Sequence, residues 1–470
     1  MGKDLRQFLQ AARAAGPEFY VESKKPLKPK LEPFILQQKL LKEGRYPVIY
    51  CPEIEGSRIP LVTGLVGSYE LLGLAMGMDP RKMDKFEISR EFTSRKMTAG
   101  TRPVKQIPAA QAPVREVILK GNDVDLNLLP ITQHHERDSG RYVAAGFLIC
   151  KNPDTGVPNA GIYRHEVKGK DIIGCDLAPA HNAAFIAGRY AALGKPMEVA
   201  IVIGHHPAVV LACGSEGPVG MNELEVAGGL LGEQLEVVDA ETVDLQVPAR
   251  AEIVIEGVID RPIDGTGTDG PFGEYTWYYG EVAPCFLMRV TAITMRRDAI
   301  YHDLDPAHPE HNLAGALGWE ASAFEAVKKV LPGVKAVHVP ISGVSYHVYV
   351  SIKKRVPGEG KIAGIAAIAG HPRTTMVVVV DEDVDVFNER EVMWAIATRT
   401  VADRDVSIIS NTTGQRLNPS AHDETRLKRG YMVSKMIIDA TMPVDLPFST
   451  RITPNKELWQ SMRLEDYLKK

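Results

Sequence analysis

The chain has 470 residues, a length that predicts two or three domains rather than one compact core. With 44% hydrophobic residues, 24% charged residues and a net charge of −4, it has an ordinary globular composition and no sign of a nucleic-acid or membrane surface. Its longest apolar runs have the length of strands, well short of the roughly 20 residues of a membrane helix. The N-terminus has no apolar signal core, so we expect a cytoplasmic protein.

The first predicted region, residues 1–113, alternates helical patterns with short extended ones. Apolar residues recur at helical spacing in DLRQFLQAARAA, and Gly16 follows as a candidate C-cap. Ser68 is a plausible N-cap for a second helix in SYELLGLAMGM. From Ile88 to Pro113 the periodicity is lost and proline, alanine and basic residues accumulate, which predicts a linker.

The central region, residues 114–314, has the pattern of a strand-rich domain. The extended runs are VREVILKG, YVAAGFLIC, AGIYRHEV, MEVAIVIG, AVVLACG, AEIVIEGVI, CFLMRVTAITMR and AIYHDL. Two helical patterns interrupt them, AHNAAFIAGRYAAL and MNELEVAGGLLG. Many strands with few helices favour a barrel or a sandwich.

Residues 315–452 return to alternating helices and strands, which predicts an α/β domain. The helical patterns are EASAFEAVKKVL and EREVMWAIATRTV, and the strand patterns are HVYVSIKK and TTMVVVVDEDVDVF. Residues 453–470 predict a short amphipathic helix behind a proline-rich connector, and a helix on such a tether often docks onto another subunit. The predicted fold class is therefore multidomain α/β.

The cysteines lie singly along the chain and form no CxxC pair. They are Cys51, Cys150, Cys175, Cys213 and Cys285. Such a set predicts buried free thiols in a reducing compartment rather than disulfides.

Polar residues that could carry chemistry first occur together in PNAGIYRHEV, which holds Asn159, Arg164, His165 and Glu166. Residues two apart share a face of a strand, so Asn159 and Arg164 can point together only across a bend. The Asn-Ala-Gly start of the stretch offers one. A surface hairpin with solvated charges explains the same pattern.

Two helix starts supply further candidates. His181 precedes a helical pattern, where free N–H groups suit a phosphate, although a capping or surface histidine explains the same position. The glycine-rich stretch GSEGPVG opens a helix with Glu223 and Glu225 in its first turn. Asn, His and Glu ligands without thiolates favour Mg²⁺ or Mn²⁺ over a structural zinc, but acids in a first turn also simply complement the helix dipole.

The stretch TDGPFGEYTWYYGE, residues 268–281, brackets a Gly-Pro-Phe-Gly turn with Asp269 and Glu274. Two such acids can divide their roles, one kept ionised by a cation and the other serving as an acid because its pKa is raised. Arg164 is the evident cation of this region. The aromatic residues that follow could stack on a planar ring or belong to the core.

Several motifs together resemble one known family. NAGIYR, GMNELEVAGGLLG, VPARAEIVIEGVID, DGPFGEYT, AIYH, VSIKK, EVMWAIATR and SKMIIDAT have the order and spacing found in the UbiD-like decarboxylases, over nearly the whole chain. The resemblance implies an N-terminal α/β region, a central split β-barrel similar to flavin reductases and a C-terminal α/β domain that mediates dimerisation. It also implies prenylated FMN, supplied by a separate flavin prenyltransferase, with Mn²⁺ and often K⁺.

Site residues follow from the resemblance by position. The metal ligands would be Asn159, His181 and Glu223. The cofactor contacts would be Ile162, Tyr163, Arg164, Asp176, Leu177, Ala178, His181 and Asn182. The catalytic set would be Arg164, Asp269 and Glu274. Most members have Glu where this chain has Asp269, so the shorter acid would have to meet Arg164 more closely or through water. RLNPSA also has Asn418 where Asp is common.

The activity implied is reversible, non-oxidative decarboxylation of an aromatic, heteroaromatic or α,β-unsaturated carboxylic acid by a homodimer or a dimer-based hexamer. Glu274 would protonate the carbon that loses CO₂, while Arg164, held by Asp269, orients the carboxylate. Two other classes stay open. A subunit of a multi-component carboxylase predicts no activity on its own after loading, and a metal-dependent hydrolase predicts activity from the metal alone.

Substrate choice has one further candidate determinant, the histidine-rich stretch YHDLDPAHPEHNLAGALGWE. Its polar residues are His302, His308, Glu310, His311 and Asn312. They could read a second carboxylate, a hydroxyl or a ring nitrogen of the substrate, or they could form a solvated loop.

Overall fold

The computed structural model of the protein describes residues 2–97, 101–178, 181–214, 220–261, 266–421 and 431–468, and has the mixed α/β fold that the sequence predicts. The helices of this part of the chain are α1 (Leu5–Ala15), α2 (Glu32–Lys42), α3 (Tyr69–Ala75), α4 (Lys85–Met97), α5 (Asn182–Ala192), α6 (Pro207–Gly214), α7 (Glu223–Leu231), α8 (Pro309–Val330), α9 (Glu359–Gly370), α10 (Glu389–Arg399), α11 (Ala402–Asp405), α12 (Lys456–Ser461) and α13 (Leu464–Tyr467). Within the ranges described, none of them is both long enough and apolar enough to cross a membrane.

The strands lie mainly in three sheets that follow the chain from its N-terminal to its C-terminal part. They are β1 (Tyr20–Glu22), β2 (Val48–Cys51), β3 (Leu61–Thr63), β4 (Lys105–Gln106), β5 (Val117–Lys120), β6 (Tyr142–Val143), β7 (Phe147–Lys151), β8 (Pro158–Ile162), β9 (His165–Val167), β10 (Ile172–Cys175), β11 (Met197–Ile203), β12 (Glu236–Asp239), β13 (Gln246–Pro248), β14 (Ile253–Ile259), β15 (Gly267–Asp269), β16 (Phe272–Gly273), β17 (Tyr279–Gly280), β18 (Ala283–Met295), β19 (Tyr301–His302), β20 (Val334–His338), β21 (His347–Ile352), β22 (Met376–Asp381), β23 (Val406–Thr413) and β24 (Met432–Ala440).

The N-terminal part begins with α1, as predicted. The carboxylate of Asp4 caps the helix by accepting from the amide of Gln7, and Gly16 ends it at a φ of 125°. Ser68 caps α3, also as predicted, by accepting from Leu71 N–H. This part contains a sheet of order β1-β2-β3-β19, whose last strand returns from much later in the chain.

The prediction of a linker from Ile88 to Pro113 is wrong in its first half, because α4 covers residues Lys85–Met97. Ile88 and Phe92 are each 1% exposed, and α4 packs against α8. These two residues lie four apart on one helix face, but charged residues surround them in the sequence. Tertiary packing on a narrow apolar stripe therefore forms a helix that local amphipathicity does not predict.

The central sheet has the order β6-β9-β10-β18-β14-β11-β7-β8, with β5 and β15 also paired to β18, and every pair in it is antiparallel. In the described part of the chain, β6 and β8 form its two edges and no pairing between them closes it into a barrel. The long strands β11, β14 and β18 occupy the middle and are mostly buried. The shorter strands β5, β10 and β15 pair with β18, and β7 pairs with β11.

The prediction that AVVLACG is a strand is wrong, because the run lies in α6. All its side chains from Ala208 to Cys213 are at most 6% exposed, so no polar face reveals the period of the segment. A short run of continuous apolar residues is compatible with a buried strand or a buried helix. Pro207 at the first helical position was the available helix signal.

The C-terminal sheet has the order β20-β21-β22-β24-β23, with parallel pairing among β21, β22 and β24 and antiparallel edges. Helices α8 and α9 pack together beside it. The interpretation of the histidine-rich stretch as a solvated loop is wrong, since His302 lies in β19 and His308 caps α8. Both side chains are at most 2% exposed.

The last described residues form α12 and α13, which the sequence predicts as a short amphipathic helix. Their large apolar side chains face solvent, with Trp459 at 75% and Leu464 at 75% exposure. All five cysteines are free and buried, as predicted.

Candidate active site

A buried cluster of charges surrounds Arg164 in the break between β8 and β9. The strand pairing stops after Ile162 and resumes at His165, so the break lies at Tyr163 and Arg164. The prediction that the Asn-Ala-Gly start supplies the bend is wrong, because Asn159, Ala160 and Gly161 pair regularly with β7 inside β8. The Arg164 side chain is only 8% exposed, which rules out a surface hairpin with solvated charges. Its guanidinium faces three carboxylates, those of Asp176, Asp269 and Glu274.

Asp269 reaches Arg164 directly. It ends β15, its side chain is fully buried, and its Oδ2 accepts from Nε of Arg164 at 2.7 Å and also from Nη2. The shorter acid therefore meets Arg164 through direct hydrogen bonds. The other carboxylate oxygen of Asp269, Oδ1, is buried and has no hydrogen-bond partner within the described ranges.

Glu274 meets the other side of the same guanidinium, through its Oε1 and Nη1 of Arg164. It follows β16 at the start of a tight turn, in which Glu274 N–H donates to Tyr278 O at 2.9 Å and Trp277 has a φ of 66°. Its side chain is 7% exposed. One arginine therefore lies between two acids that are five residues apart in the sequence.

Burial raises the pKa of the Glu274 carboxyl, Arg164 opposes that rise and Asp176 adds to it. Burial likewise raises the pKa of Asp269 against the effect of Arg164. Burial disfavours the charged arginine, yet its carboxylate neighbours raise the pKa of Arg164 above its ordinary value, so it stays protonated. The pKa values of both carboxyls are thus raised, and the assignment of one acid as ionised and the other as the proton donor stays a prediction.

The third carboxylate, Asp176, was predicted only as a cofactor contact. Its Oδ2 lies 3.2 Å from Nη2 of Arg164 and accepts from Nη2 of Arg416 at 2.6 Å. Two guanidinium groups therefore face three carboxylates. The sequence did not predict a role for Arg416, because in RLNPSA only Asn418 departs from the family pattern.

A second polar centre joins Asn159 of β8 to Glu223 of α7. Asn159 Nδ2 donates to Glu223 Oε1 at 3.0 Å, and the amide of Ala160 donates to Oε2 at 2.9 Å. Burial raises the pKa of Glu223 to about 7, although these hydrogen bonds lower it. Asn159 Oδ1 is buried without a hydrogen-bond partner in the described part of the chain.

His181 is the N-cap residue of α5, with its ring centroid 5.3 Å from that of Tyr163. Glu223 begins α7 behind the capping side chain of Asn222, and most of the glycine-rich stretch before it, residues 215–219, lies outside the described residues. Among the residues that the structure describes, no group of three or more His, Cys, Asp or Glu side chains is arranged to hold a metal.

The remaining candidate cofactor residues line the same region. Tyr163 and Leu177 are buried, at 8% and 5% exposure, whereas Ile162 and Ala178 are half-buried. Asn182 is the first residue of α5. In the chain, Ile162 ends β8, and Leu177 and Ala178 lie between β10 and α5.

The aromatic residues after Glu274 divide into two groups. Tyr275 is 6% exposed, and its hydroxyl donates to Oε1 of Gln415 and lies 3.4 Å from the hydroxyl of Tyr346. Trp277 and Tyr278 are 65% and 61% exposed. Only Tyr275 therefore behaves as a core residue, and it packs against His311 of the histidine-rich stretch with ring centroids 5.2 Å apart.

Comparison with known proteins agrees with this architecture. Three domain models of 3-octaprenyl-4-hydroxybenzoate carboxy-lyase match the chain: the N-terminal domain at residues 18–87, the Rift-related domain at 105–309 and the C-terminal domain at 295–440. Anhydromevalonate phosphate decarboxylase of Methanothermobacter thermautotrophicus is 35% identical over 408 residues, which is 86% of this chain and 90% of that protein.

Solved structures show the same similarity. The UbiD-class enzyme HmfF of Pelotomaculum thermopropionicum, in complex with FMN, superposes with a TM-score of 0.90 and 36% identity, over 99% of this chain and 100% of that one. An evolved dimeric form of that enzyme in complex with prFMN superposes with a TM-score of 0.87 and 35% identity, over the same shares of the two chains.

Proposed function

Because the chain belongs to the UbiD family of carboxy-lyases, we propose that it catalyses the reversible, non-oxidative decarboxylation of an aromatic, heteroaromatic or α,β-unsaturated carboxylic acid with prenylated FMN. The observation that carries the proposal is the buried contact of Arg164 with both Asp269 and Glu274. This arrangement combines a fixed cation for a carboxylate with an acid of raised pKa, the two groups that decarboxylation followed by protonation needs.

The cofactor has a suitable place beside this cluster. Half-buried Ile162 and Ala178 offer apolar contact next to Arg164, and α5 begins at Asn182 with N–H groups that suit a phosphate. The chemistry that the group supplies when bound is an electron sink for the pair left behind by CO₂. The structure of a relative in complex with prFMN supports this choice.

Mn²⁺ fits the second polar centre. Glu223 has a buried carboxylate whose pKa is raised, and Asn159 has a buried amide oxygen that accepts no hydrogen bond in the described part of the chain. A hard divalent cation stabilises both kinds of oxygen. With His181, they are the residues that would hold the metal. Its charge would serve to bind the cofactor phosphate. The K⁺ implied by the resemblance stays a prediction.

The division of roles follows from the geometry. Arg164 orients the substrate carboxylate by charge and planar hydrogen bonding. Asp269, fully buried against Nε, fixes the plane of the guanidinium. Glu274 holds the proton that is delivered to the carbon after CO₂ has left, because burial raises the pKa of its carboxyl and so favours the neutral acid.

The protein would act as a homodimer or a dimer-based hexamer, with a flavin prenyltransferase as the supplier of its cofactor. Self-association is supported by the exposed apolar side chains of the C-terminal tail, residues 453–468. These side chains include Leu458, Trp459, Met462, Leu464, Tyr467 and Leu468. Burial of such a patch against another copy removes apolar surface from water.

The test is co-expression with a flavin prenyltransferase, followed by absorption spectroscopy and CO₂ release from a panel of aromatic, heteroaromatic and acrylic acids. The expected result is flavin absorbance together with CO₂ release from at least one acid. A protein that never acquires flavin absorbance would contradict the proposal. A colourless protein active with Mn²⁺ alone would indicate a hydrolase, and a loaded but inactive one would indicate a subunit of a larger carboxylase.

A further inference from the structure

The turn that carries Glu274 is held by residues 135–142, a segment that ends at the first residue of β6. Ser139 N–H donates to Pro271 O at 2.9 Å, and Asp138 Oδ1 accepts from Gly273 N–H at 2.8 Å. The hydroxyl of Tyr142 accepts from Gly270 N–H at 3.1 Å. Three peptide groups of the turn thus have partners on one neighbouring segment, which restrains the turn.

His135 is the side chain of this segment that lies directly against the turn. Gly273 has no room for a side chain, because a Cβ there would lie 2.9 Å from Cγ of His135. The backbone N–H of His135 donates to Asp138 Oδ2 at 2.7 Å, while Oδ1 of the same carboxylate holds Gly273. One aspartate therefore ties the histidine to the residue that precedes Glu274.

Asp305 fixes the far side of the imidazole. Its Oδ1 lies 3.3 Å from His135 Nε2 and accepts from Ala307 N–H at 2.9 Å. Its Oδ2 accepts from Gln38 Nε2 at 2.6 Å, and its side chain is fully buried. Asp305 lies between β19 and α8, so the ring is anchored to a segment distant in sequence from the turn. We call His135, Asp138 and Asp305 the clasp.

Charge reinforces this geometry. Burial disfavours the imidazolium, but Asp305, Asp138 and Glu274 together raise the pKa of His135 above its ordinary value. Burial similarly disfavours ionised Asp305, yet the hydrogen bond from His135 leaves the pKa of that carboxyl below its ordinary value. Each partner thus favours the charged form of the other, and charge-assisted hydrogen bonds are the stronger ones.

We propose that His135 is a positioning residue that seats the Gly273–Glu274 peptide and so holds the Glu274 carboxyl against Arg164. The inference rests on the proposed function, because it assumes that Glu274 is the proton donor. His135 fills the space behind Gly273, and Asp138 and Asp305 prevent its ring from turning away. Without the ring, the peptide can move into the space, and a displacement of about 1 Å at a reacting group can cost about a hundredfold in rate.

The first experiment compares His135→Ala, His135→Gln and His338→Ala in the cofactor-loaded enzyme. His338 is the matched control, since it is 4% exposed, pairs with Glu320 at 2.8 Å and packs on Phe387. We expect His135→Ala to lower kcat by about ten- to a hundredfold, with KM and flavin absorbance within about twofold of wild type. His135→Gln, which fills the space and keeps a donor toward Asp305, should recover most of kcat, and His338→Ala should keep it.

The second experiment separates the clasp from the identity of the acid. Adding His135→Ala to Glu274→Gln should leave the residual rate unchanged within about twofold, because a positioning residue acts only through its partner. Hydrogen exchange of the cofactor-free protein should show faster exchange at Gly273 and Glu274 in His135→Ala than in His338→Ala.

Two results overturn the clasp: a kcat for His135→Ala no lower than that for His338→Ala, or unchanged exchange at Gly273. A different result, full turnover by Glu274→Gln with cofactor bound, overturns the proposed proton donor instead. In that case the exchange measurement still decides whether His135 seats the turn. The two failures are therefore distinguishable.

Discussion

Arg164→Met should destabilise the cofactor-free protein more at high pH than at low pH. The substitution keeps much of the side-chain volume but leaves Asp176, Asp269 and Glu274 buried without the guanidinium between them. Loss of one partner from a buried ion pair costs about 3–5 kcal/mol when the remaining charges cannot be neutralised. Protonation offers that neutralisation only where the pH permits it.

The sign follows from the pKa values. Burial already raises the pKa of Asp269 and of Glu274, and Arg164 opposes the rise at both, so its removal raises them further. A carboxyl whose pKa is higher in the folded than in the unfolded chain contributes stability at low pH that is lost as the pH rises through the folded value. Each such group changes the free energy of unfolding by about 1.4 kcal/mol per pH unit within that window.

The assay is urea-induced unfolding followed by circular dichroism near pH 5.5 and near pH 8. We expect the variant to lose about 1–2 kcal/mol at the lower pH and about 2 kcal/mol more at the higher one, a further shift of the midpoint by roughly 0.5 M for a chain of this size. The control is Arg189→Met, which breaks an exposed pair with Asp154 and should barely move the midpoint at either pH. Equal midpoint shifts of Arg164→Met at the two pH values would refute the reasoning.

Three further predictions concern the rest of the molecule. Between pH 5 and pH 8, the free energy of unfolding of Glu223→Gln should rise by up to about 3 kcal/mol relative to that of the metal-free wild type. Burial raises the pKa of Glu223 to about 7, so the stability that the protonated acid contributes to the wild type is lost as the pH rises. Urea midpoints of the two proteins that change in parallel with pH would contradict this. Asp269→Glu should lower the thermal midpoint by an amount equivalent to about 1–3 kcal/mol, since a fully buried site must accept a methylene, and an unchanged midpoint would show that the turn adapts. Deletion of residues 453–470 should lower the number of copies per assembly, measured by light scattering. The same number of copies as in the wild type would show that the apolar tail does not hold copies together.

The parts of the fold that the sequence predicts well are those with a clear period or a capping residue. Helix α1 has Asp4 and Gly16 at its ends, and β11 is an apolar run of β-branched residues. Helix α6 was predicted as a strand because every side chain in it is buried, which removes the polar face that defines a period. Helix α4 was missed because its stability comes from contact with α8 rather than from its own pattern.

The candidate site was predictable only where a motif carries it. The resemblance placed Arg164, Asp269 and Glu274 together, and the structure shows them in contact, although spacing alone left a solvated hairpin open. Arg416 could not be found in this way, because it reaches Asp176 from 240 residues away along the chain. The clasp had one weak signal, the dense polar run QHHERDSG between predicted strands, but pairing of His135 with Asp305 depends on how the chain folds back.

The measurement that tests the central claim most directly is a decarboxylation in D₂O by the cofactor-loaded wild type and by Glu274→Gln. The wild type should release CO₂ and place one solvent deuteron on the carbon that carried the carboxylate. The variant should bind the cofactor with an unchanged absorption spectrum but turn over at least about a hundredfold more slowly, since the proton donor is absent. Wild-type turnover by Glu274→Gln with cofactor bound would contradict the account.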